Sequence, residues 1–285
     1  MEYTGHALTV IVAMAVVSAL AYSALYILYS TNLTGAAGVS AGQPLVARFY
    51  GYSLQSFIIV NTYGELNKSF TISFWMYPER VGNGVNGSGY SEDVVDVYSN
   101  TPTGLPQTYL EWRGNGMFDI NFCRFHRLGS VDCSEEYNYE RWTDEWVYIT
   151  EVYDNGTFAV YADGKPIYGS AGLADSRNST WGPAVNNIVI TNPVVYISTF
   201  KSYAPYQMDN PFDGYISDVQ IYKDMLNPAQ IQKLYNEGLT GKPLANANLF
   251  GWWPLDGNAN GSYGGYNGHI YGNVTFVPAP RWQGT

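Results

Sequence analysis

Between Glu2 and Arg48 the chain carries no Asp, Glu, Lys or Arg, and within that gap Ala7–Tyr29 (ALTVIVAMAVVSALAYSALYILY) is apolar or weakly polar throughout. The 23 residues of that run, if helical, span roughly 35 Å at about 1.5 Å per residue, enough to cross a bilayer. Three readings compete. A cleaved secretory signal wants a basic leading region, a shorter apolar core and a small-residue cleavage site, whereas no Lys or Arg precedes Arg48 and the run is too long. A permanent anchor fits the length, but no basic flank sets its orientation. A helix that packs against copies of itself fits the small residues. Ala15, Ala19 and Ser23 recur at intervals of four and lay a small-faced stripe along one side, which lets helices approach closely. Tyr22, Tyr26 and Tyr29 form a second, polar-tipped stripe.

The remainder of the chain is of another kind. Ser30–Gln43 (STNLTGAAGVSAGQ) is small, polar and Gly-rich, a tether by composition. From Pro44 onward the pattern is of strands. Phe70–Tyr77, Trp146–Tyr153, Thr157–Tyr161, Val194–Thr199 and Tyr215–Tyr222 alternate or run apolar between Gly, Asn, Asp and Pro. Asp154-Asn155-Gly156 and Asp163-Gly164 read as hairpin turns. One short helix is signalled, with Asn227 as cap, Pro228 as first residue, Gln230 completing a capping box and Gly238 as stop. Apolar residues make up 46% of the chain, enough for a core and too many for global disorder. The net charge of −10 removes the electrostatic basis for binding nucleic acid. The fold class expected is mostly β, a long hydrophobic N-terminal helix followed by a β-sandwich or jelly roll. The divisions are 1–30 for the helix, 31–43 for the linker and 44–285 for the head.

Two resemblances sharpen this. A short acidic start, a charge-free apolar helix and a β-rich head resemble the mature subunit of a type IV pilin-like filament, in particular an archaeal one. That resemblance implies an extracellular homopolymer whose helices leave the membrane to form the filament core. It implies that Glu2 pairs with a neighbour's terminal amine, and that Ala15, Ala19, Tyr22 and Tyr26 lie in the assembly face. The basic leader of that family does not precede Met1, which fits a numbering that starts at the processed protein; with Met1 as initiator the anchor reading gains. In the head, FTISFWMYPE (Phe70–Glu79), EWVYITEVYDNGTFAVYADGKPI (Glu145–Ile167) and FDGYISDVQIYKDMLNPAQIQKLYNEG (Phe212–Gly238) resemble, in this order, the spine of laminin-G-like, concanavalin A-like jelly rolls. Gly251–Ala279 resembles the strands that normally open such a domain. Either the head is circularly permuted and completes its own sheet, or the segment is donated to a neighbouring subunit. The short connection Leu239–Asn248 favours self-completion.

Catalytic chemistry is not legible. Glycoside hydrolases of this superfold need two carboxylates across the scissile bond, usually as Glu-x-Asp-x-Glu along one strand. None of the acidic clusters, Ser91–Asp96 with Asp93 and Asp96, Ser134–Glu136 and Thr143–Glu145, has that spacing. They read as solvated loop carboxylates, and no enzyme is expected. His6, His126 and His269 are scattered, so no structural metal is expected. Asp256, Asn258 and Asn260 offer alternate oxygens as in the opening of a calcium loop, without the bidentate Glu that should follow. Calcium there is the one cofactor considered; otherwise none is expected.

Cys123 and Cys133 are the only cysteines, on two strands flanking a turn at Leu128–Ser130; they read as an extracellular disulfide, with buried thiols as the alternative. Asn-x-Ser/Thr acceptors occur at Asn32, Asn67, Asn86, Asn155, Asn178, Asn260 and Asn273. Chance from the Asn, Ser and Thr content would give roughly three, so a glycan-coated surface is the physical reading. Adjacent Trp252 and Trp253 should face opposite sides of a strand, one in the core and one available to a sugar or a neighbouring subunit. Function then divides between two expectations. One is a pilus-like structural subunit whose glycosylated head adheres to surfaces, its partners being copies of itself and the membrane before assembly. The alternative is a membrane-anchored, lectin-like adhesin, head outside, that binds surface glycans.

Overall fold

The computed structural model describes residues 43–51, 56–79, 91–101, 107–113, 118–125, 131–138, 142–168, 188–201, 208–209 and 211–282. Glu2, Ala15, Ala19, Tyr22, Tyr26 and the whole Ala7–Tyr29 stretch lie outside them, as do the linker to residue 42 and the acceptors Asn32, Asn86 and Asn178. Among the described residues no helix is long and apolar enough to cross a membrane.

Alternation decides the architecture. In β4 (Ser69–Pro78), Phe70, Ile72, Phe74 and Met76 enter one buried cluster while Trp75 enters another on the opposite face. Both faces of the strand are covered, so its sequence reads as a nearly unbroken apolar run. The first sheet runs β12 (Lys165–Tyr168), β11 (Thr157–Ala162), β10 (Val147–Asp154), β4, β17 (Asp213–Tyr222), β1 (Leu45–Tyr50), β20 (Thr275–Pro278). The second runs β19 (His269–Tyr271), β2 (Phe57–Asn61), β14 (Val194–Ile197), β6 (Val95–Tyr98), β7 (Gln107–Arg113), β8 (Phe118–Phe125), β9 (Val131–Asn138), with β5 (Ser91–Asp93) also on β7. Small ribbons join β3 (Glu65–Asn67) to β13 (Val189–Thr191) and β15 (Phe200–Lys201) to β16 (Met208–Asp209). Inward residues of both sheets, among them Ile58, Val60, Val97 and Val195 from the second, form one core. This is a β-sandwich.

Local signals carry through to the structure. Asn155 and Gly156 have φ of 44° and 96°, and Asp163 and Gly164 have 50° and 72°. Both pairs are two-residue hairpin loops with φ positive at each position, the conformation that matches strand twist. Helix α1 (Pro228–Glu237) has the full capping box: Asn227 Oδ1 accepts from the Gln230 backbone at 3.0 Å, and Gln230 Oε1 accepts from the Asn227 backbone at 2.9 Å. Its Ile231 and Leu234 cover the outer face of the first sheet beside Trp75, Tyr148 and Tyr222.

The C-terminal segment completes its own sandwich. β18 (Leu249–Trp253) pairs with the second half of β17, on the same side as β1 pairs with the first half. β19 adds to β2 and β20 adds to β1. Trp253 is fully buried in the core; truncating such a residue typically costs about 3–5 kcal/mol, so the segment is integral to the head.

One inward position is a carboxylate. Glu151, between Ile149 and Tyr153 on β10, accepts a 3.1 Å hydrogen bond from Thr108 Oγ1 of the opposite sheet. Burial pushes its pKa up to about 8, against the lowering effect of the Thr108 bond. At this position the folded protein holds a proton at neutral pH that the unfolded chain releases, so the contribution of Glu151 to stability falls as pH rises from about 4 to about 8. Glu151→Gln should flatten that slope and raise stability at pH 8 by on the order of a few kcal/mol. Thermal unfolding followed from pH 5 to 9 checks this, and an unchanged slope in the variant would refute it.

Candidate functional site

The most exposed large aromatic side chain among the described residues is Tyr63, 73% accessible. It sits in the turn between β2 and β3, and its neighbours are fixed. Thr62 donates from its backbone N–H and its hydroxyl to the Pro193 carbonyl, at 3.0 and 2.6 Å. The Gly64 N–H donates to Asn192 Oδ1 at 3.0 Å, while the Asn192 N–H returns to the Gly64 carbonyl at 2.6 Å. Gly64 adopts φ +107°, which strongly favours glycine. The ring of Tyr63 is thus offered to solvent on a clamped backbone.

Three further side chains gather around that turn. Tyr266, from the loop after β18, donates its hydroxyl to the Tyr63 carbonyl at 3.0 Å, and the two ring centres lie 6.4 Å apart. Tyr266 is itself held by Trp253, whose indole N–H donates to the Tyr266 carbonyl at 2.6 Å. Phe250 of β18 lies 5.9 Å from the Tyr266 ring. Lys223, just past β17, holds its ammonium 5.0 Å from the centre of the Phe250 ring, a cation–π distance. A methyl group added at Gly64 would come within 3.7 Å of Phe250 and 3.8 Å of Lys223 Nζ, so the ammonium stands directly beside the turn that carries Tyr63. Tyr263, 50% exposed, is bridged to Trp252 in the same loop. Such an arrangement presents the exposed aromatic face of Tyr63 beside polar groups and an ammonium. Tyr271 is also exposed, but its ring stacks on Phe57 at 4.9 Å and is flanked by His269 at 4.7 Å, which engages it within the sheet.

The residues singled out from the sequence fall elsewhere. Trp253 is in the core and Trp252 is half-buried on the opposite face, as alternation requires; the Trp252 indole donates to Asp218 Oδ1 at 2.7 Å. Burial raises the pKa of the Asp218 carboxyl to about 7, offset in part by hydrogen bonds from Gln220 and Trp252. Asp93 and Asp96 are buried, not solvated. The reason is that both belong to paired strands of the second sheet rather than to a loop. Asn258 Oδ1 accepts from the Asn260 N–H at 2.8 Å, the hydrogen bonding of an Asx turn, and no group of three or more His, Cys, Asp or Glu among the described residues is arranged to hold a metal. Asn67, Asn155, Asn260 and Asn273 are all exposed. Cys123 and Cys133 are directly opposed in register on β8 and β9; the turn at Leu128–Ser130 and His126 lie outside the described residues. Tyr63, Lys223, Phe250 and Tyr266 form no local motif. The only signals were a Tyr beside Gly in NTYGE and again in SYGGYN.

Comparison with known proteins identifies the fold family. The family model of the concanavalin A-like lectin/glucanases superfamily, in its laminin G type, matches residues 55–232, more than half of the 285. No curated protein matches the sequence significantly. A native heptameric SAP-like pentraxin from Limulus polyphemus has a TM-score of 0.53 at 13% identity, the match covering 84% of this chain and 98% of the pentraxin. A candidate carbohydrate-binding protein from Bacteroides ovatus has a TM-score of 0.54 at 14% identity, covering 84% of this chain and 61% of that one. Identities this low establish the fold alone. Tyr63 and Lys223 lie within the matched residues, whereas Phe250 and Tyr266 lie beyond them.

The loop that carries Tyr266 depends on close backbone contact. A Cβ at Gly261 would lie 2.4 Å from the Tyr266 carbonyl oxygen. Gly261→Ala should therefore lower stability by about 1–3 kcal/mol through overpacking, read as a drop in the urea midpoint. An unchanged midpoint would show that the loop does not pack on Gly261 in this way.

Proposed function

The chain belongs to the laminin G type of the concanavalin A-like lectin/glucanases superfamily, and from that premise we propose that it is a lectin-like, carbohydrate-binding adhesin that binds without catalysis. The observation that carries the reading is the ring of Tyr63, held out to solvent on a clamped turn beside Tyr266 and Lys223. An aromatic face packs against the apolar face of a sugar ring, and the polar groups around it fix orientation. The fold shared with a candidate carbohydrate-binding protein is in keeping with this use.

An extracellular, cell-surface setting is supported by two further features. Directly opposed residues on antiparallel strands have Cα atoms roughly 4.5–5.5 Å apart, within the span of a disulfide; the register of Cys123 against Cys133 meets that condition. The exposed acceptors Asn67, Asn155, Asn260 and Asn273 suit a glycan-coated surface. The charge-free stretch Ala7–Tyr29 supports a finer reading, in which the head is carried on a polymerising, pilus-like helix or on a membrane anchor. Ala15→Lys separates the two: loss of filaments from sheared cells with the head still folded is the expected result for a filament core, and normal filaments would sink it.

Two measurements test the rest. The full chain in detergent micelles should bind members of a glycan array, and Tyr63→Ala should weaken that binding at least tenfold, about 1.4 kcal/mol, with its unfolding temperature unchanged. No binding to any glycan, or binding indifferent to Tyr63→Ala, would overturn the proposal. Peptide mapping without reductant should recover Cys123 and Cys133 in one linked species, and free thiols at both would exclude the bridge.

A further inference from the structure

Lys223 is an unusual residue in its setting. The chain has 14 Lys and Arg against 24 Asp and Glu, and among the described residues Lys223 is the lysine that rests over an aromatic ring. Both ion pairs among the described residues use Arg48, with Glu79 and Asp213. The carboxylate next to Lys223 in sequence, Asp224, has its Oδ2 accepting from the Asn248 N–H at 3.0 Å. The Lys223 ammonium instead rests over Phe250, 5.0 Å from the ring centre. Its backbone is pinned by the Lys223 N–H to the Asn248 carbonyl, at 2.8 Å. A ring beneath an ammonium attracts it and leaves its other N–H groups able to donate.

The approach to that ammonium is also open. Gly64 leaves the space where any other side chain would lie against Lys223 and Phe250, and the residue before it is the exposed Tyr63. A sugar that stacks on Tyr63 and extends over Gly64 would meet the Lys223 ammonium there. A neutral hydroxyl there would gain only an ordinary hydrogen bond, whereas an anionic substituent would gain a charge-assisted one. Resting on the carbohydrate-binding reading above, we infer that the site selects an acidic sugar, one bearing a carboxylate or sulfate, with Tyr63 supplying the stacking face and Lys223 the specificity.

The test uses one sugar with and without its charge. Oligogalacturonate and its methyl ester share every ring and hydroxyl and differ only in the carboxylate. The full chain in detergent micelles is titrated with each at low and high sodium chloride. The expected result is at least tenfold tighter binding of the acid, a preference that shrinks with salt. Lys223→Gln should abolish the preference by weakening the acid at least tenfold more than the ester; Lys223→Arg should retain it. Tyr63→Ala should weaken both ligands together. Equal binding of the charged and uncharged forms by the parent chain in both this pair and the sulfated panel below, or a preference that survives Lys223→Gln, would overturn the inference while leaving the sugar site standing. A panel of sulfated hexose oligomers and their desulfated forms is run alongside, and acid preference in either panel supports the inference. Absence of binding in both panels and on the glycan array overturns the carbohydrate-binding reading, and this inference with it.

Discussion

One indole ties the interior of this head to its surface. Trp253 fills the space between the sheets and directs its N–H to the Tyr266 carbonyl. Burying an indole N–H without a partner is costly, so the buried ring favours the loop conformation that brings the Tyr266 carbonyl to it. Tyr266 is thereby fixed, and its hydroxyl in turn holds the carbonyl of Tyr63, far away in the chain. The same ring also explains the glycine two residues before it, since a Cβ at Gly251 would lie 2.4 Å from Trp253.

The same segment explains how the first sheet is continuous. β17 is ten residues long and is served along one edge by two strands from opposite ends of the head, β1 and β18. Where they meet, Asp218 has φ of 52° and the pairing with β4 shifts register between Ser217 and Gln220. A bulge there bends the strand and turns a carboxylate into a buried position, where Trp252 and Gln220 supply its hydrogen bonds. The irregularity is thus matched by the polar groups around it, and a β18 residue supplies one of them.

Much of the fold was legible because it is written locally. Asn155-Gly156, Asp163-Gly164 and the Asn227–Gln230 capping box depend on residues within four positions of one another, and all form as their chemistry dictates. The two-sided burial of β4 was legible as an apolar run, and the pairing of the C-terminal strands with their own sheets was expected from the short connection before them. What escaped was everything set by distant pairing. Asp93 and Asp96 read as loop carboxylates because SEDVVD is polar; strand pairing across the second sheet buries them. Glu151 was invisible inside an apolar strand, since only the opposite sheet's Thr108 explains its presence. The candidate site joins positions 63, 223, 250 and 266, and only folding brings them to one turn.

That distribution bears on where specificity can reside. The family core contributes Tyr63 and Lys223, and the segment beyond the family match contributes Phe250 and Tyr266. Neither half makes the site alone. Without Phe250 the Lys223 side chain would be a mobile surface cation, and without Tyr266 the Tyr63 turn would lose a tether on its carbonyl. Ordering such groups on ligand binding would consume affinity; having them ordered beforehand by the core does not. Loops of a sandwich are free to vary because the sheets fold without them, but this loop is fastened to the core through Trp253. A ligand at this site would therefore meet a turn whose backbone is tied to the core through Tyr266 and Trp253, and discrimination would come from the position of one ammonium relative to one ring.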